Sequence, residues 1–261
     1  MNWSEPLFRY GQAVRVGLLD HLAANPWKVS MTTSWPRSVL QCLFFTLLGG
    51  VANDAEGITF AFIGSAALVI TLATIVGIAD VPMTDKWMGT VHRIQLSRMA
   101  ALGIFVARSV PWLLEALVTV AVSIIAVGLL VGRFPLALEL LAGLPILLVM
   151  IVSSAVAGLA VASFAVGRNA DVLLGNGMMY LVIAAGGIVI PPGRLLWLDA
   201  VGSVLPIRHG LLALRAYVDG RPWLGELAAE IAVGAAWAVV AWAAFRHQTV
   251  VARRDGVDAL A

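Results

Sequence analysis

Uncharged apolar stretches alternate with short polar segments along the whole of this 261-residue chain. Six apolar stretches stand out, at about residues 35–52, 58–79, 103–131, 136–166, 172–190 and 223–245. An α-helix needs about twenty apolar residues to cross the hydrocarbon core of a bilayer, and each stretch meets or nearly meets that length. The pattern therefore predicts an all-α integral membrane protein, with one domain of six transmembrane helices over residues 35–245.

Prolines and an acidic turn predict where these helices bend or end. Pro111, near the start of the third stretch, predicts a kink. The fourth stretch is longer than one crossing requires, so we expect it to be tilted or broken, with Pro145 as the candidate break. Residues 53–57 are polar and predict a short turn between the first two stretches.

The first 34 residues have the pattern of an amphipathic helix that lies on the membrane surface. One helical face carries four apolar residues, Leu7, Val14, Leu18 and Leu22. Polar side chains cover the rest of the helix, and Asn25-Pro26 is expected to break it. Residues 1–34 are therefore predicted to form an interfacial helix on the cytoplasmic surface, and residues 246–261 a polar cytoplasmic tail.

A polar segment at residues 85–97 separates the second apolar stretch from the third. It predicts a short amphipathic helix, with Val91 and Ile94 against the membrane surface and Lys86, Arg93 and Arg98 in water. A helix that lies flat between two spans is well placed to receive a push from a soluble partner. The bland alternative is a solvated loop with helix-capping residues.

The segment at residues 191–222 is too polar to cross a bilayer but contains many leucines. We expect short amphipathic or re-entrant helices there, on the outer side and before the last span. Its candidate functional residues are Pro206, Arg208, His209 and Arg215. The alternative is a surface helix without a role in transport.

Composition and charge agree with a membrane protein and orient it. The chain is 61% hydrophobic and 12% charged, whereas soluble domains carry about 25% charged residues. With the N-terminus inside, twelve of the 17 Lys and Arg residues, Arg98, Arg168 and Arg253 among them, fall on the cytoplasmic side. This excess predicts cytoplasmic N- and C-termini, because positive residues concentrate in cytoplasmic loops.

Several kinds of chemistry have no signature in the sequence. No Gly-x-x-x-x-Gly-Lys-Ser/Thr motif occurs, so the chain has no phosphate-binding loop of the common ATPase kind. The four histidines are isolated and the one cysteine, Cys42, lies in an apolar stretch, so we expect no catalytic, cofactor or metal residues. Glu115 is the one possible polar site deep within a span; it carries a coupling ion or, as the bland alternative, pairs with Arg108.

Two segments resemble ABC-2 type transporter permeases. Asp85-Lys86-Trp87-Met88-Gly89-Thr90-Val91-His92-Arg93-Ile94-Gln95-Leu96-Ser97 resembles the coupling helix through which these permeases contact an ATPase subunit. Leu205-Pro206-Ile207-Arg208-His209-Gly210-Leu211-Leu212-Ala213-Leu214-Arg215 is similar to their Leu-Pro-x-x-His-x-Leu-x-x-Leu-Arg stretch before the last span. The order of elements also agrees over nearly the whole chain. His92 stands where an acid is common, and Met99 where a proline often follows.

The resemblance implies a membrane-spanning subunit of a bacterial ABC exporter in the cytoplasmic membrane. Its expected partners are two copies of an ATP-binding subunit, which hold ATP and Mg²⁺, and a second permease subunit, identical or homologous. The expected ATPase contact comprises Asp85, Lys86, Gly89, Thr90, Arg93 and Leu96. Gly89 is expected to permit a tight helix start and Thr90 to supply a capping hydroxyl.

Three kinds of function stay open at this point. The first is efflux of a hydrophobic or amphipathic compound such as an antibiotic, with antibiotic resistance as the result. The second is export of a lipid or lipid-linked glycan by the same fold, with Arg208 and Arg215 attracting phosphate. The third is a membrane carrier or scaffold without ATP coupling.

Overall fold

The computed structural model describes residues 4–97, 99–166 and 171–258, and these residues are almost entirely helical. Arg98, Arg168 and the rest of the polar turn at 167–170 lie outside the described residues, as does the side chain of Arg253. Twelve α-helices follow one another within the described ranges: α1 Ser4–Ala24, α2 Trp27–Val29, α3 Trp35–Thr71, α4 Gly77–Trp87, α5 Val91–Gln95, α6 Ala101–Leu130, α7 Phe134–Ala142, α8 Leu144–Val166, α9 Asp171–Ala185, α10 Leu196–Gly202, α11 Arg208–Val218 and α12 Leu224–Asp258. No β-strand occurs in these ranges, which confirms the predicted all-α class.

Four of the described helical segments are long and apolar enough to cross a membrane. They are Trp27–Trp87, Ala101–Leu130, Leu144–Val166 and Leu224–Val251. A shorter apolar helix covers Val172–Ala185. Several helices extend beyond the apolar stretches, because polar residues can also be helical. For example, α12 continues to Asp258 and so includes most of the predicted polar tail. The chain is a multi-pass membrane protein.

The first of these segments turns back on itself within α3. Asn53 and Asp54 have non-helical backbone angles, with φ of −156° and 43°. The hydroxyls of Thr46 and Ser65, nineteen residues apart, lie 3.4 Å from each other. A straight helix would separate them by nearly 30 Å, so the two arms of α3 run antiparallel. The acidic turn predicted at 53–57 is the place where the chain reverses.

Two glycines let the arms of this hairpin approach closely. The carbonyl oxygen of Gly49 occupies the space that a Cβ atom on Gly57 would need, and the carbonyl carbon of Gly49 would lie 2.9 Å from it. Because the obstructing atoms belong to backbone rather than to a flexible side chain, they cannot move aside cheaply. The pair therefore sets the spacing of the arms next to the turn.

Two π-helical segments interrupt this part of the chain, at Ser30–Ser34 and Leu72–Val76. The second joins α3 to α4 and packs on α8. There the hydroxyls of Thr74 and Ser154 are 2.6 Å apart and buried, and a Cβ on Gly158 would lie 3.0 Å from the carbonyl oxygen of Ile75. A π segment holds an extra residue in one turn, and such segments are frequent at functional sites.

The fourth apolar stretch is broken, as its length predicts, but at a different residue. α7 ends at Ala142, Gly143 separates the two helices, and α8 begins at Leu144. Pro145 therefore lies in the first turn of α8, where a missing backbone donor costs nothing. By contrast, α6 is continuous through Pro111 over its 30 residues.

The interior consists of one large apolar cluster and one small one. The large cluster draws on α3, α6, α8, α9 and α11, and includes Phe62, Leu68, Ile124, Leu147, Met150 and Leu211. The small cluster lies where α4, α6, α8 and α12 meet beside the polar segment at 85–97, and includes Ile78, Val81, Phe105, Leu159 and Phe245. The small cluster therefore packs against that segment from the interior of the bundle.

We expect Gly57→Ala to destabilise the α3 hairpin. Forcing a methyl group against the Gly49 carbonyl should cost about 1–3 kcal/mol, the usual range for overpacking. The measurement is the apparent Tm of the purified chain in detergent. Gly225→Ala is the control, because nothing lies within 4 Å of a Cβ at that position. Equal Tm values for the two variants would contradict the close approach.

Candidate functional site

The polar segment at 85–97 begins with a Schellman motif that ends α4. Gly89 has a φ of 69°, a backbone conformation that favours glycine. Its N–H donates to the carbonyl of Lys86 over 3.1 Å, and the N–H of Thr90 donates to the carbonyl of Asp85 over 2.8 Å. Gly89 was expected to permit a tight start of the following helix. The structure corrects this, because Gly89 instead ends the preceding helix, α4.

The helix that follows is shorter than predicted. α5 covers only Val91–Gln95. Ile94 packs against the small apolar cluster together with Leu102, instead of lying on the membrane surface. Arg93, on the other side of α5, is exposed to solvent as predicted. We call residues 85–97 the central loop from here on.

Asp85 fixes the central loop from inside. Its side chain is buried, and each carboxylate oxygen accepts a hydrogen bond: Oδ1 from the hydroxyl of Thr90 over 2.7 Å, and Oδ2 from Nη1 of Arg108. Thr90 precedes α5 but makes no side-chain capping bond to it. The expectation that Thr90 caps this helix is therefore wrong, since its hydroxyl points back at Asp85.

Arg108 joins the central loop to the N-terminal helix. Its Nη2 donates to Oδ2 of Asp20 in α1 over 2.6 Å, while its Nη1 serves Asp85. The guanidinium is about nine-tenths buried, Asp85 likewise, and Asp20 is half exposed. Because charge-assisted bonds of this kind are the strong ones, three segments that are far apart in sequence meet at one cation.

The alternative pairing of Glu115 with Arg108 is wrong, since both terminal nitrogens of Arg108 bind aspartates. Oε2 of Glu115 lies 2.8 Å from Nε2 of His21, and Oε1 accepts from the hydroxyl of Ser30 over 3.1 Å. His21 also packs edge-on against Trp112, with ring centroids 4.6 Å apart. Glu115 therefore holds the end of α1 and the first π segment against α6.

α1 lies along the first half of α6, and Tyr10, Gly17 and His21 face that helix. The backbone of Arg108 fills the space where a side chain on Gly17 would go, and Tyr10 packs against Gly103 in the same way. The apolar face predicted from sequence, which includes Leu7 and Leu18, is exposed. That face is free to contact lipid.

The tip of the central loop exposes apolar side chains. Trp87 and Met88 are 68% and 73% exposed, and Leu96 is 48% exposed. Lys86 donates to the carbonyl of Ala165 at the end of α8 over 3.4 Å. Sequence reasoning missed Trp87 and Met88; their signal was two large apolar residues directly before Gly-Thr in a polar segment.

The cavities at this end of the bundle include two that are larger than 400 Å³. A cleft of about 930 Å³ opens between the central loop and the ends of α8 and α12, with Lys86, His92 and His247 among its residues. A second cavity of about 410 Å³ lies beside Glu115, and residues of both π segments line it. No group of His, Cys, Asp or Glu in the described ranges is placed to hold a metal ion.

At the opposite end of the bundle, α12 holds the start of α11. Glu230 is completely buried, and its carboxylate accepts backbone bonds from Ile207 over 2.8 Å and from Gly210 over 2.9 Å. These N–H groups belong to the first turn of α11, where the helix dipole favours negative charge. Pro206 is buried directly before Ile207, whose φ of 80° is unusual for a β-branched residue.

Arg208 and His209 are also held by local partners. Arg208 donates to Asp199 in α10 and, over 2.9 Å, to the carbonyl of Ala185 at the end of α9. This guanidinium, with the N–H of Gly193, holds the pKa of Asp199 below its usual value. His209 lies 2.8 Å from Glu226, a half-exposed residue of α12.

Arg215 lies apart from the other predicted residues of this segment. Its guanidinium stacks 3.8 Å above the ring of Phe60, at the other end of α11. Glu226, Glu230 and Trp237, which share one face of α12 and bind the segment before and within α11, were missed from sequence. Two glutamates four residues apart in an apolar helix were the available signal.

A family model described as ABC-2 type transporter matches residues 20–218. That range begins at Asp20, includes the central loop and Arg108, and ends with α11. No curated protein and no solved structure matches the chain.

The two aspartates bound to Arg108 should differ sharply in their effect on stability. We expect Asp85→Asn to cost about 3–5 kcal/mol, because it leaves a buried cation without its buried partner. Asp20→Asn should cost about 1 kcal/mol or less, since that carboxylate is half exposed. The apparent Tm of each purified variant measures this, and equal shifts would contradict the central role of Asp85.

A matched pair on α12 tests the anchoring of α11. Glu230→Gln should destabilise the chain by about 1.5–3 kcal/mol, because one of two buried N–H groups loses a charged acceptor. Glu226→Gln should cost about 1 kcal/mol or less at its half-exposed position. Amide hydrogen exchange of α11, followed by mass spectrometry, should rise in the first variant alone. Unchanged exchange in Glu230→Gln would rule out the cap.

Proposed function

The chain belongs to the ABC-2 type transporter family, and on that basis we propose that it is the membrane-spanning subunit of an ATP-driven exporter. A family member of this kind is a transport subunit rather than an ATPase, and this sequence contains no phosphate-binding loop motif. ATP and Mg²⁺ are then bound by a separate subunit. The observation that supports the proposal most directly is the exposed apolar tip of the central loop, which the buried ion pair of Asp85 with Arg108 holds in place.

The proposed topology has six crossings with both termini in the cytoplasm. The two arms of α3, with α2 and α4 as extensions, supply the first two crossings. α6, α8, α9 and α12 supply the other four, while α10 and α11 lie at the outer end. The excess of positive charge near the central loop supports this orientation.

We assign the contact with the ATP-binding subunit to the tip of the central loop. Trp87, Met88, Arg93 and Leu96 are exposed there, and aromatic, Met and Arg side chains are enriched in protein interfaces. Gly89 is exposed at the tip and Lys86 borders the adjoining cleft. Asp85 and Thr90 instead position the loop, because their polar atoms are engaged within the chain.

Motion of the loop would reach the membrane helices through Arg108. A push on the loop displaces Asp85, and Asp85 is bound to a guanidinium that belongs to α6 and holds α1. Packed interfaces of this kind change between discrete arrangements rather than deforming smoothly. Two such subunits, identical or homologous, would work over two ATP-binding subunits.

The proposed substrate is a hydrophobic or amphipathic compound, and an antibiotic is one example. The membrane helices present apolar faces, and the cavity beside Glu115 offers both polar and apolar walls for an amphipathic molecule. Efflux of such a compound would confer resistance to it.

Two other functions are weighed against this one. Export of a lipid or lipid-linked glycan would use the same fold and a residue that attracts phosphate. Arg208 does not support this function, because Asp199 and the carbonyl of Ala185 bind its guanidinium. The remaining candidate for the phosphate contact is Arg215. A carrier or scaffold without ATP coupling would depend on Glu115, which His21 and Ser30 hold within the chain.

We expect Trp87→Ala to weaken binding of the ATP-binding subunit. Losing an aromatic anchor at the centre of an interface typically costs 2 kcal/mol or more, which is about thirtyfold in affinity. The measurement is co-purification of the tagged chain from its native cell, with identification of the ATP-binding subunit and vanadate-sensitive ATPase activity in the eluate. Arg93→Glu should act in the same direction.

The controls are two matched residues at the opposite end of the bundle. Trp197→Ala removes a tryptophan that is 65% exposed, and Arg194→Glu reverses an exposed arginine. Both variants should co-purify with as much ATP-binding subunit and ATPase activity as the unmodified chain does. If the unmodified chain elutes without any ATP-binding subunit, the permease proposal fails; if both tryptophan variants lose it equally, the assigned contact surface fails.

A further inference from the structure

A cleft of about 440 Å³ lies at the end of the bundle opposite the central loop. α6 begins beside the loop and rises about 45 Å over its 30 residues, and Arg133 follows its end. The cleft forms where Arg133, the start of the second arm of α3 and the end of α11 meet. Its charged and aromatic lining comprises Glu56, Phe60, Arg133, Arg215, Asp219 and Arg221.

Arg215 is the unusual member of this lining, because its donors are buried and unused. Nε and Nη2 are inaccessible to solvent and have no hydrogen-bond partner among the described residues. A buried charged donor without a partner costs several times more than an ordinary lost hydrogen bond. Burial lowers the pKa of Arg215 to about 10, so the group remains a cation at neutral pH.

Two glycines border this guanidinium. A Cβ on Gly64 would lie 3.5 Å from Nη2, and one on Gly187 would lie 3.8 Å from Nη1. On its remaining face the group stacks on Phe60 at 3.8 Å, an arrangement that holds an arginine by cation–π attraction without using its N–H groups. The chain therefore fixes the guanidinium in place and leaves its donors to something else.

The rest of the cleft carries an excess of positive charge. Arg221 pairs with Asp219 over 2.6 Å, so those two charges cancel. The guanidinium of Arg133 makes no hydrogen bond or ion pair with a described residue, although its backbone bonds to Gly128 and Ala137. Glu56 is the remaining acid; it is exposed, and it accepts a long bond of 3.4 Å from the side chain of Asn53. Two arginines then face a single exposed carboxylate.

We propose that this cleft binds a phosphate group through Arg215 and Arg133. A phosphate presents several acceptor oxygens to two arginines, and its negative charge would compensate a largely buried guanidinium that has no carboxylate bound to it. The cleft volume falls in the range of small-molecule sites. The phosphate can belong to a lipid headgroup or to a free solute. The site uses no residue of the central loop and needs no ATP-binding subunit.

The test compares three single-charge variants of the full chain in dodecyl maltoside, a detergent without phosphate. Arg133→Gln removes a cleft cation, and Glu56→Gln removes the opposing carboxylate. Arg194→Gln removes an exposed cation of the segment at 191–222 that does not line the cleft. Arg133 is chosen before Arg215 because it is partly exposed, so its replacement should not impair folding. Binding of inorganic pyrophosphate is titrated against chloride at equal ionic strength, with the apparent Tm as readout.

A second arm uses native mass spectrometry to compare retention of phosphatidylglycerol with that of diacylglycerol, which lacks the phosphate. Arg133→Gln should weaken phosphate binding about tenfold or more, the value of one charge-assisted bond. Glu56→Gln should strengthen binding about two- to fivefold, and Arg194→Gln should leave it unchanged. An effect of opposite sign at Glu56 separates a phosphate site from a merely structural role for the arginines.

Each result decides the proposal. Retention of phosphatidylglycerol without pyrophosphate binding assigns the site to a lipid headgroup, and pyrophosphate binding assigns it to a free phosphate compound. Saturable binding of neither overturns the proposal, as does equal binding by the Arg133→Gln and Arg194→Gln variants. The result is independent of co-purification with an ATPase, so a failure here leaves the permease proposal untouched.

Discussion

A buried arginine needs carboxylate partners, and the half of this protein that contains the central loop is arranged around that need. Arg108 lies at the margin of an apolar bundle, where an unpaired guanidinium would be very costly. One aspartate comes from the helix before the central loop and the other from the N-terminal helix. The loop, α1 and α6 are thus held in one arrangement by a shared charge rather than by apolar packing alone. Gly17 belongs to the same design, because only a residue without a side chain lets α1 approach the backbone of Arg108.

At the opposite end of the bundle the buried charge that needs partners is negative instead of positive. There the buried charge is the carboxylate of Glu230, and its partners are backbone N–H groups at the start of α11. The apolar face of α11 packs into the large cluster, and the carboxylate of Glu230 fixes where this short helix begins. The unusual backbone of Ile207 is the strain that this capping tolerates.

Hydropathy and turn residues predicted the elements well, and the reason is that both are local properties. The apolar stretches, the reversal at Asn53-Asp54 and the division of the fourth stretch all follow from residues adjacent in sequence. The partners of the candidate residues do not. Asp85 and Asp20 reach Arg108 across 23 and 88 positions, and Ser30 reaches Glu115 across 85. Pairing Glu115 with Arg108, seven residues away on the same helix, was the natural local choice and was wrong, because tertiary contacts between α1 and α6 offered each group a better partner. Gly89 was assigned to the wrong helix for a related reason: a Schellman motif is defined by backbone bonds to residues before it, which the Gly-Thr pattern alone does not reveal.

The π segment at Leu72–Val76 also sets the rotational phase of everything that follows it in the same run of helix. Each residue of an α-helix turns the chain by about 100°, so one residue accommodated in a π turn offsets α4 by that angle relative to an uninterrupted helix. Asp85 lies thirteen or fewer residues beyond this offset and faces Arg108 only in the phase that it creates. A related chain with one residue fewer between positions 72 and 76, and with a regular α-helical turn there, would keep α4 in the same rotational phase. A single insertion or deletion within α4 itself would instead turn Asp85 away from Arg108. The length of the chain between the π segment and Asp85 is therefore under a stricter constraint than the identity of most residues within it.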